Sequence, residues 1–216
     1  MILIGLFDSP FTRRVAIALA LRGIAFEHRA WSVGADFDRI REYSPLGRVP
    51  VLVLDDGEVL VESSSILDWI EHETHGDPLL PAGGRDRREA LRLIGIASGA
   101  ADRGVAMVLE RIFHPEAHQS QALLDRSRAQ IEGALGALDA ACAARPGRWL
   151  VGDAMTLADI TVACYVTHMH QAAPVELARW PALAAHVARC ESLDVFRAHH
   201  APFYVPKPQG TQETSA

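Results

Sequence analysis

Residues 1–23 read MILIGLFDSPFTRRVAIALALRG, and the way this stretch divides decides the fold. Its first seven residues are apolar and partly β-branched, which suits a strand. Ser9-Pro10 breaks the run. Residues 11–22 hold neither glycine nor proline and are almost wholly apolar after Arg14, so they read as a buried helix that Gly23 ends. Ser9 therefore stands where a strand hands over to a helix N-terminus. Such an end presents free N–H groups and a partial positive charge, and it favours a negative group placed against it, a thiolate included. Capping of the helix by Ser9 or Thr12 accounts for the same residues, and the segment alone does not choose.

Outward from there, residues 25–32 read as a second strand and 35–42 as a short polar helix. Residues 50–54 and 58–61 flank Asp55-Asp56-Gly57, the pattern of a β-hairpin. A helix follows over 64–73. The order β-α-β-α-β-β-α predicts a mixed four-stranded sheet: the opening β-α-β needs a parallel pair and the hairpin adds an antiparallel one. Residues 76–86 are rich in glycine and proline and read as a linker. Beyond them the texture is helical, with helices expected over 86–113, 119–144 and 156–172, and one or two more in 181–200. The expected organisation is an α/β domain over 1–75, an all-α helical bundle over 87–204 and a flexible tail over 205–216.

The composition narrows the functional classes. The chain of 216 residues carries 21 basic and 27 acidic side chains, a formal charge of −6. The basic residues are scattered, which argues against a nucleic-acid partner. The apolar run Val15–Leu21 is far too short to cross a bilayer, which takes roughly 20 residues. Three cysteines, Cys142, Cys164 and Cys190, form no CxxC pair or metal-ligand spacing, and so sparse a set fits a reducing cytoplasm. Of the ten histidines, His168/His170 and His199/His200 are spaced so that neither pair shares a helix face. No metal is expected.

Two further segments carry chemistry. At Arg48-Val49-Pro50-Val51 an X-Pro bond enters a short strand; base frequencies favour trans, while a cis bond would expose the Val49 backbone to an extended peptide ligand. At Glu62-Ser63-Ser64-Ser65 a helix begins; Ser63 or Ser64 suits an N-cap, and the same N-terminus suits a ligand carboxylate, with Glu62 facing an ammonium group.

Taken in order, Ser-Pro-Phe-x-x-Arg after strand one, Val-Pro before strand three and Glu-Ser opening helix three resemble the thioredoxin-like domain of cytosolic glutathione transferases. In the second half, Met155-Thr156-Leu157-Ala158-Asp159-Ile160 resembles the capping box and hydrophobic staple of that family's central helix, in which Thr156 caps, Asp159 bonds back and Met155 packs on Ile160. Replacing Thr156 and Asp159 by alanine is expected to cost roughly 1–2 kcal/mol of stability, the worth of one cap.

The resemblance covers about residues 1–200. It implies glutathione as co-substrate, a thiolate that attacks an electrophilic carbon or reduces a peroxide, a hydrophobic second substrate and a homodimer. It assigns Ser9 as the hydroxyl that activates the thiol, with Thr12 in reserve. Serine at this position disfavours the disulfide-forming branch, and the lack of a tyrosine near the first helix disfavours the tyrosine-type classes. A non-catalytic glutathione binder and a glutathione-dependent isomerase or dehalogenase are the alternatives. Val49 would dock the cysteinyl backbone, Glu62 and Ser63 the γ-glutamyl end, and Arg48 the glycyl carboxylate. Asp102 is a candidate for an acid reaching the glutathione amine of the neighbouring subunit. Phe11, Arg103, Met107 and Arg111 are expected to line the second-substrate pocket. Arg13 and Arg14 read as structural or surface charges.

Overall fold

A computed structural model describes residues 1–172 and 175–203. The expected tail over 205–216 and the expected helix stop at Pro174 lie outside the described residues. The strands are β1 (Ile2–Ile4), β2 (Glu27–Arg29), β3 (Val51–Val53) and β4 (Val59–Val61). They form one mixed sheet in the order β2-β1-β3-β4. β1 runs parallel to β2, with Leu3 opposite His28, and antiparallel to β3, with Leu3 opposite Leu52. β3 and β4 close the antiparallel hairpin. Three helices belong to this unit: α1 (Pro10–Leu21), α2 (Phe37–Arg41) and α3 (Ser63–Glu73). The expected element order holds, and the strands are shorter than the apolar runs suggest. β1 stops at Ile4 because Gly5, at φ +132°, turns the chain out of the sheet.

α1 lies at the centre, with Val15, Ala16, Ile17, Ala18 and Leu19 wholly buried. It ends as its glycine predicts. Gly23 takes φ +67°, its N–H reaches the Ala20 carbonyl at 3.0 Å, and the Ile24 N–H reaches Leu19 at 2.9 Å. This paired closure satisfies the last-turn carbonyls, and glycine adopts the left-handed conformation without a Cβ penalty.

The second half is helical: α4 (Gly84–Phe113), α5 (Gln121–Ala143), α6 (Leu157–Ala172), α7 (Pro181–Glu191) and α8 (Asp194–Ala198). α6 is buried nearly all round, so its sequence reads as continuously apolar rather than as a stripe. It packs on α1, α4 and α7, while α5 joins α4 and α7. No helix among the described residues is long and apolar enough to cross a membrane.

Three arginines anchor α1 to the elements packed around it. Arg13 on α1 makes a two-pronged pair with Glu191 at 2.7 and 2.6 Å and also donates to the Phe196 and His199 carbonyls. Arg22 lies 3.6 Å from Glu71, whose carboxylate accepts the N–H groups of Leu79 and Leu80. The Leu79 carbonyl in turn accepts the Leu157 N–H at 2.7 Å, fastening the segment between α3 and α4 to the start of α6. The third anchor, Arg14, belongs to the site.

Candidate active site

Three backbone features meet around the first turns of α1. The first is Ser9. Its N–H bonds the Leu6 carbonyl at 3.2 Å, closing the turn that leaves β1, and its Oγ accepts the Thr12 N–H at 3.4 Å. That bond is long for an N–H···O contact. The hydroxyl proton is not spent on the cap. The first turn of α1 contains no acidic residue, so its partial positive charge is not offset by its own side chains.

The second feature is the Val49-Pro50 bond, which is cis, not the trans form that frequency alone favours. Gly5 is what allows Val49 to approach α1: a Cβ on Gly5 would sit 2.5 Å from Thr12 Oγ1 and 2.9 Å from Val49 Cβ. Any larger residue there would force the two apart. The same contact settles the reserve candidate. Thr12 is wholly buried beneath Gly5, so its hydroxyl is closed to a ligand.

The third feature is the start of α3. The cap is not Ser63 or Ser64 but Glu62, at φ +71°, the one non-glycine residue with positive φ among the described residues. Such a backbone conformation is strained for a side chain with a Cβ, and strain of this kind gathers at ligand sites. The Glu62 carboxylate accepts the Ser64 N–H at 2.9 Å and the Ser63 hydroxyl at 3.2 Å. Burial pushes its pKa up; the hydrogen bonds from Ser64, the charge of Arg14 and the bond from Ser63 outweigh that, and the carboxyl is held below the usual range.

Arg14 ties α1 to this turn. It is 1% exposed, donates to Ser63 Oγ at 2.7 Å and Ser64 Oγ at 3.2 Å, reaches Thr161 Oγ1 at 3.5 Å, and lies over the Tyr165 ring. Ser63 is wholly buried, and its hydroxyl is shared between Arg14 and Glu62. The expected contact of Ser63 with the γ-glutamyl end would thus run through its backbone N–H, with Ser64 the exposed hydroxyl beside it. The Ser64 oxygen accepts from Arg14, and its hydroxyl also bonds the Glu62 carboxylate. The N–H groups of Ser63 and Ser65 lie in the first turn and have no intrahelical acceptor.

Arg48 is exposed on the rim, and its guanidinium is 4.0 Å from Asp102 of the same chain. Asp102 thus faces the Arg48 loop of its own chain. The four residues expected to line a second-substrate pocket do not converge. Phe11 packs on Tyr165, with ring centroids 5.0 Å apart. Arg103 lines a cavity of about 500 Å³ between α4 and α5, with Gly95, Gly99, Asp102 and Gly133. Met107 and Arg111 line a separate cavity of about 220 Å³ with Arg128, Glu132, Arg179 and Trp180.

Sequence reasoning missed Gly5 and Ser64 and took Arg14 for a structural or surface charge. A glycine directly after a strand is a signal for Gly5; nothing in linear order points to the pairing of Arg14 with Ser64. Among the described residues, no group of three or more His, Cys, Asp or Glu side chains is placed to hold a metal ion. The His168 and His170 rings bond different carbonyls, those of Asp8 and Val175.

The arrangement offers an extended peptide-like ligand the Val49 backbone at the cis bond leading into β3, a helix N-terminus for a carboxylate and a second helix N-terminus with a hydroxyl for an anion. Comparison with known proteins agrees. Residues 3–78 match the family model described as glutathione S-transferase, N-terminal domain, and residues 121–189 match glutathione S-transferase, C-terminal domain. The chain is 34% identical to an uncharacterised GST-like protein, YibF, of Escherichia coli K12, over 79% of this chain and 82% of the relative. It is 30% identical to the maleylpyruvate isomerase of a Ralstonia species, over 91% and 95% respectively. Among solved structures it is similar to a glutathione S-transferase of Methylobacterium radiotolerans in complex with glutathione sulfonate. That likeness has a TM-score of 0.86 at 31% identity and covers 100% of this chain and 99% of the other.

Proposed function

We propose, given that this chain belongs to the glutathione S-transferase family, that it binds glutathione across the first turns of α1 and α3 and activates the sulfur at Ser9. Glutathione, when bound, supplies a thiol that titrates near ~8.5 when free. Ser9 donates its hydroxyl proton to the sulfur, and the N-terminus of α1 favours the negative charge. Lowering the thiol pKa by about two units takes roughly 2.7 kcal/mol. One hydrogen bond to a charged acceptor, about 1.5–3 kcal/mol, together with a helix end, about 0.3–1 kcal/mol, is enough. Ser64 and the N–H groups of Ser63 and Ser65 hold the γ-glutamyl carboxylate, and Glu62 holds the ammonium. The Val49 backbone takes the cysteinyl unit, and Arg48 takes the glycyl carboxylate.

The observation that carries this reading is the weakly engaged Ser9 hydroxyl at a helix whose first turn holds no acidic side chain. Ser9→Ala tests it. The variant is expected to bind glutathione within about threefold by calorimetry while conjugation of an aromatic halide at pH 7 falls about 10- to 25-fold, the thiolate lost when most of the two pKa units is lost. Conjugation at full rate sinks the assignment.

The likeness to a maleylpyruvate isomerase over most of both chains supports a second reading, cis–trans isomerisation of a maleyl keto acid with glutathione as cofactor. Turnover of such an acid without consumption of glutathione would select it. Either activity fits a cytoplasmic enzyme whose cysteines are all free and buried.

The α4–α5 cavity supports a homodimer. Its floor is glycine and alanine, and Asp102 beside Arg103 makes a rim that can pair with its own copy about a two-fold axis. A Cβ at Gly99 meets nothing within 4 Å. Gly99→Leu is therefore expected to fold normally and to elute as a monomer in light-scattering chromatography. An unchanged dimer mass would remove α4–α5 as the interface.

A further inference from the structure

His168 sits on the last turns of α6, and its function is not accounted for by packing. Its Nδ1 lies 2.9 Å from the carbonyl of Asp8, the residue before Ser9. A carbonyl only accepts, so Nδ1 carries the proton and donates it. The ring is 8% exposed, and the Phe203 ring closes on it edge-on, with centroids 5.2 Å apart. Phe203 is itself fastened to α6 through its N–H to Gln171 Oε1 at 3.1 Å. One imidazole thus joins the turn that carries Ser9, the central helix and the last described residues of the chain.

We propose that His168 is a positioning residue for Ser9, fixing the β1–α1 turn through the Asp8 carbonyl so that the Ser9 hydroxyl is aimed at the glutathione sulfur. The proposal rests on the role of Ser9 given above and adds a residue to it. The Ser9 backbone is otherwise held by the 3.2 Å bond from its N–H to Leu6 and by the Arg13 N–H on its carbonyl at 2.9 Å, while its side chain has a 3.4 Å contact with the Thr12 N–H. A hydroxyl so loosely held owes its direction to the backbone beneath it, and a misdirected donor loses its value to a developing anion. Burial pushes the His168 pKa down, with the Asp8 carbonyl and carboxylate opposing, so the ring is neutral near pH 7 and adds no charge beside the site.

The test is a double-mutant cycle read by the ultraviolet absorbance of the bound thiolate, titrated with pH, and by kcat and KM for glutathione. His168→Leu is expected to raise the bound thiol pKa by about one unit and lower kcat about tenfold, one lost hydrogen bond's worth of aim, with KM changed less than about twofold. His168→Asn, which keeps a donor near the Nδ1 position, should recover most of both and guards against a leucine variant that fails to fold. In a Ser9→Ala background His168→Leu should change nothing further. Additive effects of the two substitutions, or a raised KM with an unmoved thiol pKa, would overturn the proposal while leaving Ser9 in place. A Ser9→Ala protein whose bound thiol titrates as in the parent would overturn the Ser9 reading itself, and His168 with it.

Discussion

Three helices among the described residues begin on a hydroxyl cap, Ser9 at α1, Ser120 at α5 and Thr156 at α6, and the first and the last begin differently. At the start of α6, Thr156 Oγ1 accepts the Ala158 N–H at 3.2 Å and donates to Asp159 at 3.0 Å. Asp159 also accepts the N–H groups of Thr156 and Leu150, both at 2.8 Å. Both residues are buried, Asp159 wholly. At the start of α1, Ser9 accepts one N–H at 3.4 Å, the residue three positions on is Thr12 rather than a carboxylate, and the hydroxyl is only partly buried. A closed cap consumes its donors and acceptors in holding the helix. An open one leaves a proton and a helix dipole for something else. Under the proposed function the difference is that between a structural N-terminus and a chemical one; contact length alone does not make it, since Ser120 at the exposed start of α5 also accepts its N–H at 3.4 Å.

The largest effect on stability is expected where the closed cap is broken. Asp159→Ala strips partners from three buried donors and leaves His186, whose Nε2 is 3.4 Å from Asp159, without its carboxylate. The expected loss is about 3–5 kcal/mol, more than the value of a single exposed cap suggests, because every one of these groups is out of water. Thr156→Ala alone should cost about 1–2 kcal/mol. Urea melts read both, and the activity of whatever remains folded should be unchanged. A loss below 1 kcal/mol for Asp159→Ala would erase the contrast between the two starts.

The open cap does not make α1 a loose helix, since Arg13 holds it to Glu191. Burial pushes the Glu191 carboxyl up, but the bonds from Arg13 and Thr167 and the charges of Arg13 and His200 pull it lower overall. The folded value lies below the unfolded one, so the stabilisation is full above about pH 4.3, the ordinary glutamate range, and is lost as pH falls through the folded value. Glu191→Gln imitates the protonated form. It should lower stability by about 1–3 kcal/mol near pH 7 and converge with the parent in strong acid. Parallel curves of Tm against pH would show that the pair does not anchor α1.

Much of this is written in the sequence, and what is not has a common cause. The element order is legible because strand and helix periods, glycine stops and the Asp-Gly turn are local. Ser9 is legible because it stands between two such elements. Arg103, Met107 and Arg111 are four apart and share one face of α4, which periodicity reveals. Periodicity does not say what that face packs on, and here it meets α5, while Phe11 meets α6. The Glu62 cap escaped because a positive φ at glutamate has no compositional mark. That the Ser63 hydroxyl turns inward is set by Arg14, 49 positions away along the chain.

The smallest stability change is expected at the open cap, and it is the one that tests the comparison most directly. Ser9→Ala removes a single 3.4 Å acceptor, whose geometry places it at the weak end of capping interactions, so the loss should be about 0.5 kcal/mol. Arg13, Arg14 and the buried face of α1 all remain to hold the helix. If the hydroxyl serves chemistry, a barely shifted melt must accompany the roughly 10- to 25-fold fall in conjugation at pH 7 expected from a higher thiol pKa. A stability loss approaching that of Thr156→Ala, with turnover falling only in proportion to the unfolded fraction, would mean that Ser9 is a cap like the other, and that the two helices begin alike after all.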